Sequence, residues 1–479
     1  MKSFLLTFPA VCPGRSAFYI NTLHIYFFIL LCGGPSILRA QQFDWAWAST
    51  IHGTHSDIIQ EVKPDIHGEI LVVGNFYSTA IQWGDTMLIN PFENNYNGLY
   101  VGKVNTQKKL LWSKSIFCNA GDDKSDVLFR SAAVNDFGES FIAGHVYRGG
   151  ISINSFELDY AGYHSSGFIT RFTRNGDVEW AHIFEDGCDV TSVVPDHSGG
   201  FYIMGNMYWY CDSIDFGDTT IINAIQENQA YIAHYNKDNT VDWAKLAKGY
   251  INGISGQLTE DENLLIIGSY QINGFLHTLT IDGNVITCPP DVYRCKFFSV
   301  ITLEGHLQWL KNISEQEIGA NCIDSRQNAF TLDISFSDSI LVLQEDTIIA
   351  GTHYSTRCLA TFDTDGNYLY HGDTLPFQFG NAFYNIFRSP AGNWYATFLL
   401  NSSVICNTDL LTNIAGSADP AIMQVDSNMQ SLDCYQQDLT NKAFDPVLCW
   451  DRFGNIIMRG SYSGDTLVFG TDVLTNYQF

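Results

Sequence analysis

Few residues stand at spacings that support chemistry. His52 and His55 form the one close pair among the 13 histidines. Two imidazoles three residues apart can open a metal site, but no further ligand accompanies them, and an exposed-loop role is expected. The runs Asp363-Thr364-Asp365-Gly366-Asn367 and Asp282-Gly283-Asn284 echo the start of a calcium loop. Such a loop needs a Glu at its twelfth position, which counted from Asp363 is Thr374, so both runs read as hairpin turns. TRNGDVEW (Thr173 to Trp180) approaches a sialidase Asp box, but its Gly stands one place early and the motif is not repeated, so it reads as a structural turn. His-Glu-x-x-His and Gly-x-Ser-x-Gly are absent, and no Gly-rich phosphate loop precedes a helix. Asp57, Asp126, Asp189, Asn252, Asn381 and Asp445 recur at equivalent places. They are expected to cap backbone rather than to ring a channel with charge. Repeated positions are also poor catalysts, because catalysis needs one asymmetric constellation. No catalytic, cofactor-binding or metal-ligating residue is assigned, and no cofactor is expected.

The elements that carry these residues emerge when the chain is laid on itself. One phrase is a polar turn followed by a strand-like run holding an aromatic. It reaches Trp112, Trp180, Trp243, Trp309 and Tyr370, with a decayed copy at Leu432 and an unpaired one, FDWAW, at Trp47. The copies lie about 61–68 residues apart. A second phrase, a turn followed by a β-rich run that often ends in Gly, occurs seven times, from HGEILVVG at Gly74 to FGNIIMRG at Gly460. A third lies between them in some repeats, as IQWGDTMLIN, IDFGDTTIIN and LQEDTIIA. Runs of five to eight Ile, Val, Phe and Tyr bounded by Gly, Asn and Asp are strands. Asn175-Gly176, Asp282-Gly283 and Asp365-Gly366 suit tight hairpins that need positive φ. No sustained 3.6-residue apolar period occurs, so almost no helix is expected. The expected fold is all-β: a seven-bladed β-propeller of four-stranded antiparallel blades over residues 41–479, with the repeated Trp or Tyr filling the seam between blades and therefore largely buried.

Within each blade the expected order from the axis outward is DIIQEVKPD, EILVVGNF, GLYVGKVN and KKLLWSKSI. The segment from Phe43 to Thr50 then matches a lone outermost strand, which a closed ring would pair with the last repeat, from about Phe444. That repeat lacks a third strand where the sequence stops at Phe479, so the chain is expected to be truncated or its last blade incomplete. The early strand would then dock on the hairpin from Leu467 to Leu474 or lie loosely.

The formal charge is −26, and residues 1–40 hold Lys2, Arg15 and Arg39 but no acid. A surface this acidic repels phosphate backbones and anionic lipid, which excludes nucleic acid as a partner. Lys2 and Arg15, the apolar run from Phe18 to Cys32 and the small residue Ala40 fit a secretory signal peptide over residues 1–40. That run is shorter than a membrane span, so the mature chain is expected to be secreted or at the cell surface, monomeric and without a membrane segment. Ten cysteines follow the signal, none as Cys-x-x-Cys, and an exported chain permits disulfides. Cys288 with Cys295 is the best pairing and Cys434 with Cys449 a second; the others divide between disulfides and buried thiols.

Phrases such as FITRFTRNGDVEW and GESFIAG, at a period of about 64 residues, resemble the exported propeller repeats of Bacteroidetes-type bacteria, the seven-bladed β-propeller repeat (SBBP) and delta-60 repeat families. The resemblance covers residues 43–479. It implies an exported propeller; many such proteins also end in a type IX sorting domain, and this sequence shows none. The turn-then-Trp phrase is also similar to that of quinoprotein propellers, a likeness read as shared blade mechanics. The expected function is a non-enzymatic binding or structural module with a protein or glycan ligand. The alternative is a carbohydrate-active propeller enzyme with a site on the channel axis, marked by carboxylates in unlike surroundings. Trp209 and Tyr210 in NMYWYCD, and FRSPAGNWY around Trp394, break the repeat and are where a site would sit, unless they only reflect irregular packing.

Overall fold

A computed structural model describes residues 2–9 and residues 47–475 apart from 56, 92–97, 120–125, 161–163, 218, 225–226, 272–276, 315, 317, 325–328, 337–339, 345, 350–355, 373–381, 390–391, 401–402, 407–408, 413–418, 427–430, 437–441, 454, 464–465 and 470–471. The apolar run of the signal segment and Ala40 lie outside the described residues. The described residues form strands and turns with no helix, and none therefore forms a helix long and apolar enough to cross a membrane.

The chain is all-β and builds antiparallel four-stranded sheets in succession. In the first, Ile58–Pro64 pairs with Ile70–Phe76, which pairs with Gly98–Val104, which pairs with Leu110–Cys118. This is the order expected from the repeat, and it recurs from Asp126–Val134 to Val178–Asp186 and from Ile251–Leu258 to Leu307–Asn312. The two middle strands are buried on both faces. Gly98–Val104, Phe201–Met207 and Gln229–Tyr235 are buried at every residue, which is why they read as continuous apolar runs rather than alternating ones. Outer strands such as Leu110–Cys118 are only half-buried over most of their length.

The glycine that ends the second phrase has a steric cause. A Cβ at Gly74 would overlap Tyr100 and the Ile58 carbonyl; at Gly205 it would overlap the Asp189 carbonyl and Tyr231. The inner strand bulges toward this point, with register shifts such as Ile59/Glu61 and Ala143/Gly144, while an aromatic of the third strand closes from the other side.

The repeated tryptophans sit at equivalent places on the outer strands, but they are half-buried rather than largely buried. Trp112, Trp243 and Trp309 lie against the turn of the following sheet, while Trp180 packs on Phe201 and Tyr235. A Cβ on Gly305 would fall 2.8 Å from the Trp243 ring, and one on Gly366 2.9 Å from Trp309. Gly176, Gly305 and Gly366 hold φ of 87°, 83° and 70°, so they supply both the left-handed turn and the bare surface. Indole N–H groups donate into the same turns: Trp112 to Arg174 O at 2.9 Å, Trp243 to Leu303 O at 2.8 Å and Trp309 to Thr364 O at 2.7 Å. The exposed ring edge is the reason that burial stays partial.

Hairpins occur between second and third strands in more repeats than the sequence marks, including Ile151–Ile153 with Phe156–Leu158 and Thr278–Ile281 with Asn284–Thr287. They do not lengthen their own sheets. Ile151–Ile153 pairs with the outer strand of the preceding sheet, Leu110–Cys118, and Thr278–Ile281 with Val241–Lys248. An exposed sheet edge is thereby covered by the next repeat.

The last sheet corrects the expectation of a missing strand. Lys442–Trp450 pairs with Asn455–Ser463, which pairs with Lys2–Pro9, which pairs with Trp47–Gly53. The third place is filled from within residues 1–40, and Trp47–Gly53 takes the outermost place in that sheet rather than only docking on a hairpin. Register by backbone pairing fixes this, and side-chain pattern in the short segment at residues 2–9 gives no sign of it.

The half-buried indole and its hydrogen bond predict that Trp243→Ala costs about 2–3 kcal/mol, below the 3–5 of a fully buried Trp. Urea denaturation measures it, and a loss under about 0.5 kcal/mol would show that the seam contributes little.

Candidate functional site

Two of the recurrent acids, Asp57 and Asp189, bond backbone as expected. Asp57 is buried, and its Oδ1 accepts the Tyr77 and Ser78 N–H groups at 2.8 and 3.0 Å. Asp189 is buried too; its Oδ1 accepts Asn206 N–H at 2.8 Å and its Oδ2 the Tyr208 hydroxyl at 3.1 Å. These carboxylates tie the inner strand to the end of the second strand. Burial pushes both above the usual carboxylate range, against the pull of those hydrogen bonds. The side chains of Asn252, Asn381 and Asp445 lie outside the described residues.

The other sequence candidates resolve as follows. His55 is exposed in a loop, its Nδ1 3.0 Å from Thr54 Oγ1, and His52 lies on Trp47–Gly53. No group of three His, Cys, Asp or Glu among the described residues is placed to hold a metal ion. Asp363 Oδ1 accepts the Asp365 and Asn367 N–H groups, a hairpin turn as expected. Asp282 and Gly283 both take positive φ between paired strands. Trp394 is a core residue, buried on Trp394–Leu400 with the Arg388 guanidinium 5.2 Å from its ring centre, so FRSPAGNWY is an ordinary inner turn. Cys288 and Cys295 are disulfide-bonded. Cys434 is disulfide-bonded, but Cys449 is a thiol and not its partner. The reason is positional: Cys449 sits on an inner strand, with its thiol donating to Val62 O in the first sheet.

The NMYWYCD insertion forms an exposed aromatic cluster. After Phe201–Met207 the chain turns tightly: Cys211 N–H donates to Tyr208 O at 2.9 Å, and Tyr208 N–H to Gly187 O at 2.8 Å. Trp209 N–H is held by Asn228 Oδ1 at 2.9 Å while its side chain is 63% exposed. Tyr210 packs edge-on to Trp209 at 5.4 Å, parallel to Tyr208 at 6.0 Å, and 5.2 Å from the His164 ring. Gly187, at φ 87°, leaves room for the Tyr210 ring; a Cβ there would fall 2.6 Å from it. Tyr147, exposed at the end of Ser140–Tyr147, carries the Arg148 guanidinium 6.0 Å from its ring centre. Asp186 Oδ1 accepts Ser166 Oγ–H at 3.1 Å beside His164. Burial raises the Glu185, Tyr208 and Tyr210 side chains above their ordinary ranges. Rigid rings with polar edges, fixed to sheet ends, suit contact with a ligand that presents an apolar face.

A separate cleft of about 640 Å3 is bounded by parts of four inner strands, with Lys63, His197 and Glu260 among its polar lining. The sequence gives no warning of it, since its lining comes from four repeats.

No known family matches the chain, and comparison with curated proteins finds no relative. Among solved structures the chain is similar to a protein of unknown function from Bacteroides caccae, at 11% identity and TM-score 0.32 over 71% of this chain and 90% of that one. It is similar to prolyl oligopeptidase B from Galerina marginata, at 9% identity and TM-score 0.44 over 86% of this chain and 47% of that one. It is also similar to the Hadza microbial sialidase Hz136, at 12% identity and TM-score 0.34 over 78% and 75% of the two chains.

Asp189 supplies a pH test. Its pKa in the folded chain is raised, so its contribution to stability is present below the unfolded value near 3.8 and is lost as pH rises through the folded value. Relative to Asp189→Asn, which stays neutral, the wild-type chain therefore loses melting temperature as pH rises from about 3.8 toward 7. A constant difference across that range counts against the assignment.

Proposed function

We propose that this chain is an exported β-propeller of seven blades that acts as a binding module, and that its ligand surface is the aromatic turn at Tyr208, Trp209 and Tyr210. The observation that carries the binding reading is Trp209, 63% exposed on a turn whose backbone is fixed by Asn228 and Gly187. Exposed Trp and Tyr with polar tips are the residues interfaces favour.

Seven blades are supported by the succession of inner strands. Ile58–Pro64, Asp126–Val134, Ser192–Pro195 and Ile251–Leu258 touch one another in turn, as do Gly319–Asp324, Ala382–Arg388 and Lys442–Trp450. Leu264–Gln271 reaches Gly319–Asp324 between these two runs, and Lys442–Trp450 returns against Ile58–Pro64. With Lys2–Pro9 in the third place, Trp47–Gly53 supplies the fourth strand of the closing sheet. Deleting residues 47–53 is expected to lower the melting temperature by several degrees; an unchanged value would remove the ring from this reading.

The binding reading is preferred to the carbohydrate-active enzyme because the inner cleft offers one carboxylate, Glu260, among the described residues. A glycosidase pair needs two in unlike surroundings. Export rests on the apolar run from Phe18 to Cys32. Cleavage near Ala40 would remove Lys2–Pro9 and open the third place of the closing sheet, so the secreted protein's amino terminus is the decisive datum: Gln41 supports export.

Isothermal titration calorimetry with a panel of soluble polysaccharides and peptides tests binding. Trp209→Ala and Tyr210→Ala should each weaken any observed ligand at least tenfold while leaving the far-ultraviolet spectrum unchanged. A ligand whose affinity ignores both substitutions moves the site elsewhere.

A further inference from the structure

Cys188 and Cys211 lie 23 residues apart in sequence, yet their Sγ atoms are 2.8 Å apart. That is closer than two non-bonded sulfurs pack, and only a small closure separates it from a bond of about 2.05 Å. Both side chains are buried, at 0% and 2% exposure. We propose that Cys188 and Cys211 form a disulfide in the exported protein, and that this cross-link holds the aromatic turn in place. The inference rests on the export reading, because an oxidising compartment is where such a bond persists.

The backbone around both residues is already set for it. Cys188 is wedged between two sheets, bridging to Ser166 on one side and Met207 on the other. Its N–H donates to Glu185 O, and Gly167 N–H donates to its carbonyl. Cys211 closes the turn that contains Tyr208, Trp209 and Tyr210, and its thiol also reaches Ser213 O at 3.2 Å. The link would tie the far end of the exposed turn to a strand junction in the preceding repeat. Ordering a binding loop before the ligand arrives lowers the entropy lost on binding.

The chemistry balances as a two-electron oxidation. The two thiols give up their protons and two electrons, and a sulfur–sulfur bond forms between Cys188 and Cys211. The acceptor is a disulfide, either of a thiol–disulfide oxidoreductase or of oxidised glutathione, which is reduced to two thiols. Because both sulfurs are buried, the exchange takes place during folding, before the turn closes over them.

The test is peptide mapping of wild-type protein alkylated under denaturing conditions without reductant. The expected result is one peptide pair joined through Cys188 and Cys211 that separates on reduction. Full alkylation of both residues, in protein refolded with a glutathione pair, overturns the proposal. Refolding in vitro does not depend on secretion, so this outcome is distinct from failure of the export reading, which an amino terminus other than Gln41 would report. In a second measurement, Cys211→Ser should raise the rate of chymotryptic cleavage within Tyr208 to Tyr210 at least tenfold. An unchanged rate removes the clamping role; should that variant not accumulate, cleavage of the wild-type chain with and without reductant gives the same comparison.

Discussion

The architecture depends on a flat indole meeting a bare glycine turn. Trp112, Trp243 and Trp309 each lie on the left-handed glycine of the following repeat, Gly176, Gly305 and Gly366, and each donates its N–H to a carbonyl of that same turn. One contact thus provides apolar burial, satisfies a polar group and requires a residue without Cβ. It also joins successive sheets, because the indole and the turn belong to different repeats. The aromatic and the turn glycine recur with one period because each completes its neighbour.

Beneath this seam lies a second link, made of buried charge. Lys103 and Arg171 are fully buried at equivalent places on third strands. Lys103 Nζ reaches Asp65 Oδ2 at 2.8 Å and the Gly138 carbonyl of the next sheet at 2.8 Å. Arg171 reaches Glu139 at 2.6 Å and the Lys237 carbonyl at 2.8 Å. His234 holds the same place and pairs with Asp196 at 2.9 Å. Further along, Val300 and Thr361 take over, and Thr361 bonds Thr331 across the sheet. A buried cation is tolerated only where carboxylate and carbonyl converge on it, so the charged staples stay where an acidic turn stands opposite, and the later sheets pack the position with apolar or hydroxyl side chains.

The aromatic turn at Trp209 is a product of this rigidity. Its backbone bonds run to Gly187 and Asn228, on segments fixed by neighbouring sheets. Its backbone is therefore fixed while the Trp209 ring stays open to solvent.

The sequence by itself determined most strands, their order within the complete four-stranded sheets and the repeated Gly turns, because alternating turn residues and short β-rich runs are local signals. It also marked NMYWYCD as a departure from the repeat and Cys288 with Cys295 as a disulfide, since seven residues bring those two together. Tertiary structure decided what depends on distance in space. It buried Trp394, left the repeated Trp half-buried, and separated Cys434 from Cys449. It brought Cys188 beside Cys211, gave the hairpins that begin at Ala80, Ile151 and Thr278 to the preceding sheet, and set Lys2–Pro9 between Asn455–Ser463 and Trp47–Gly53. The reason is common to all of these: a strand pattern states which residues can pair, but the partner edge is chosen by the packing of whole sheets, and that choice is not written in either strand alone.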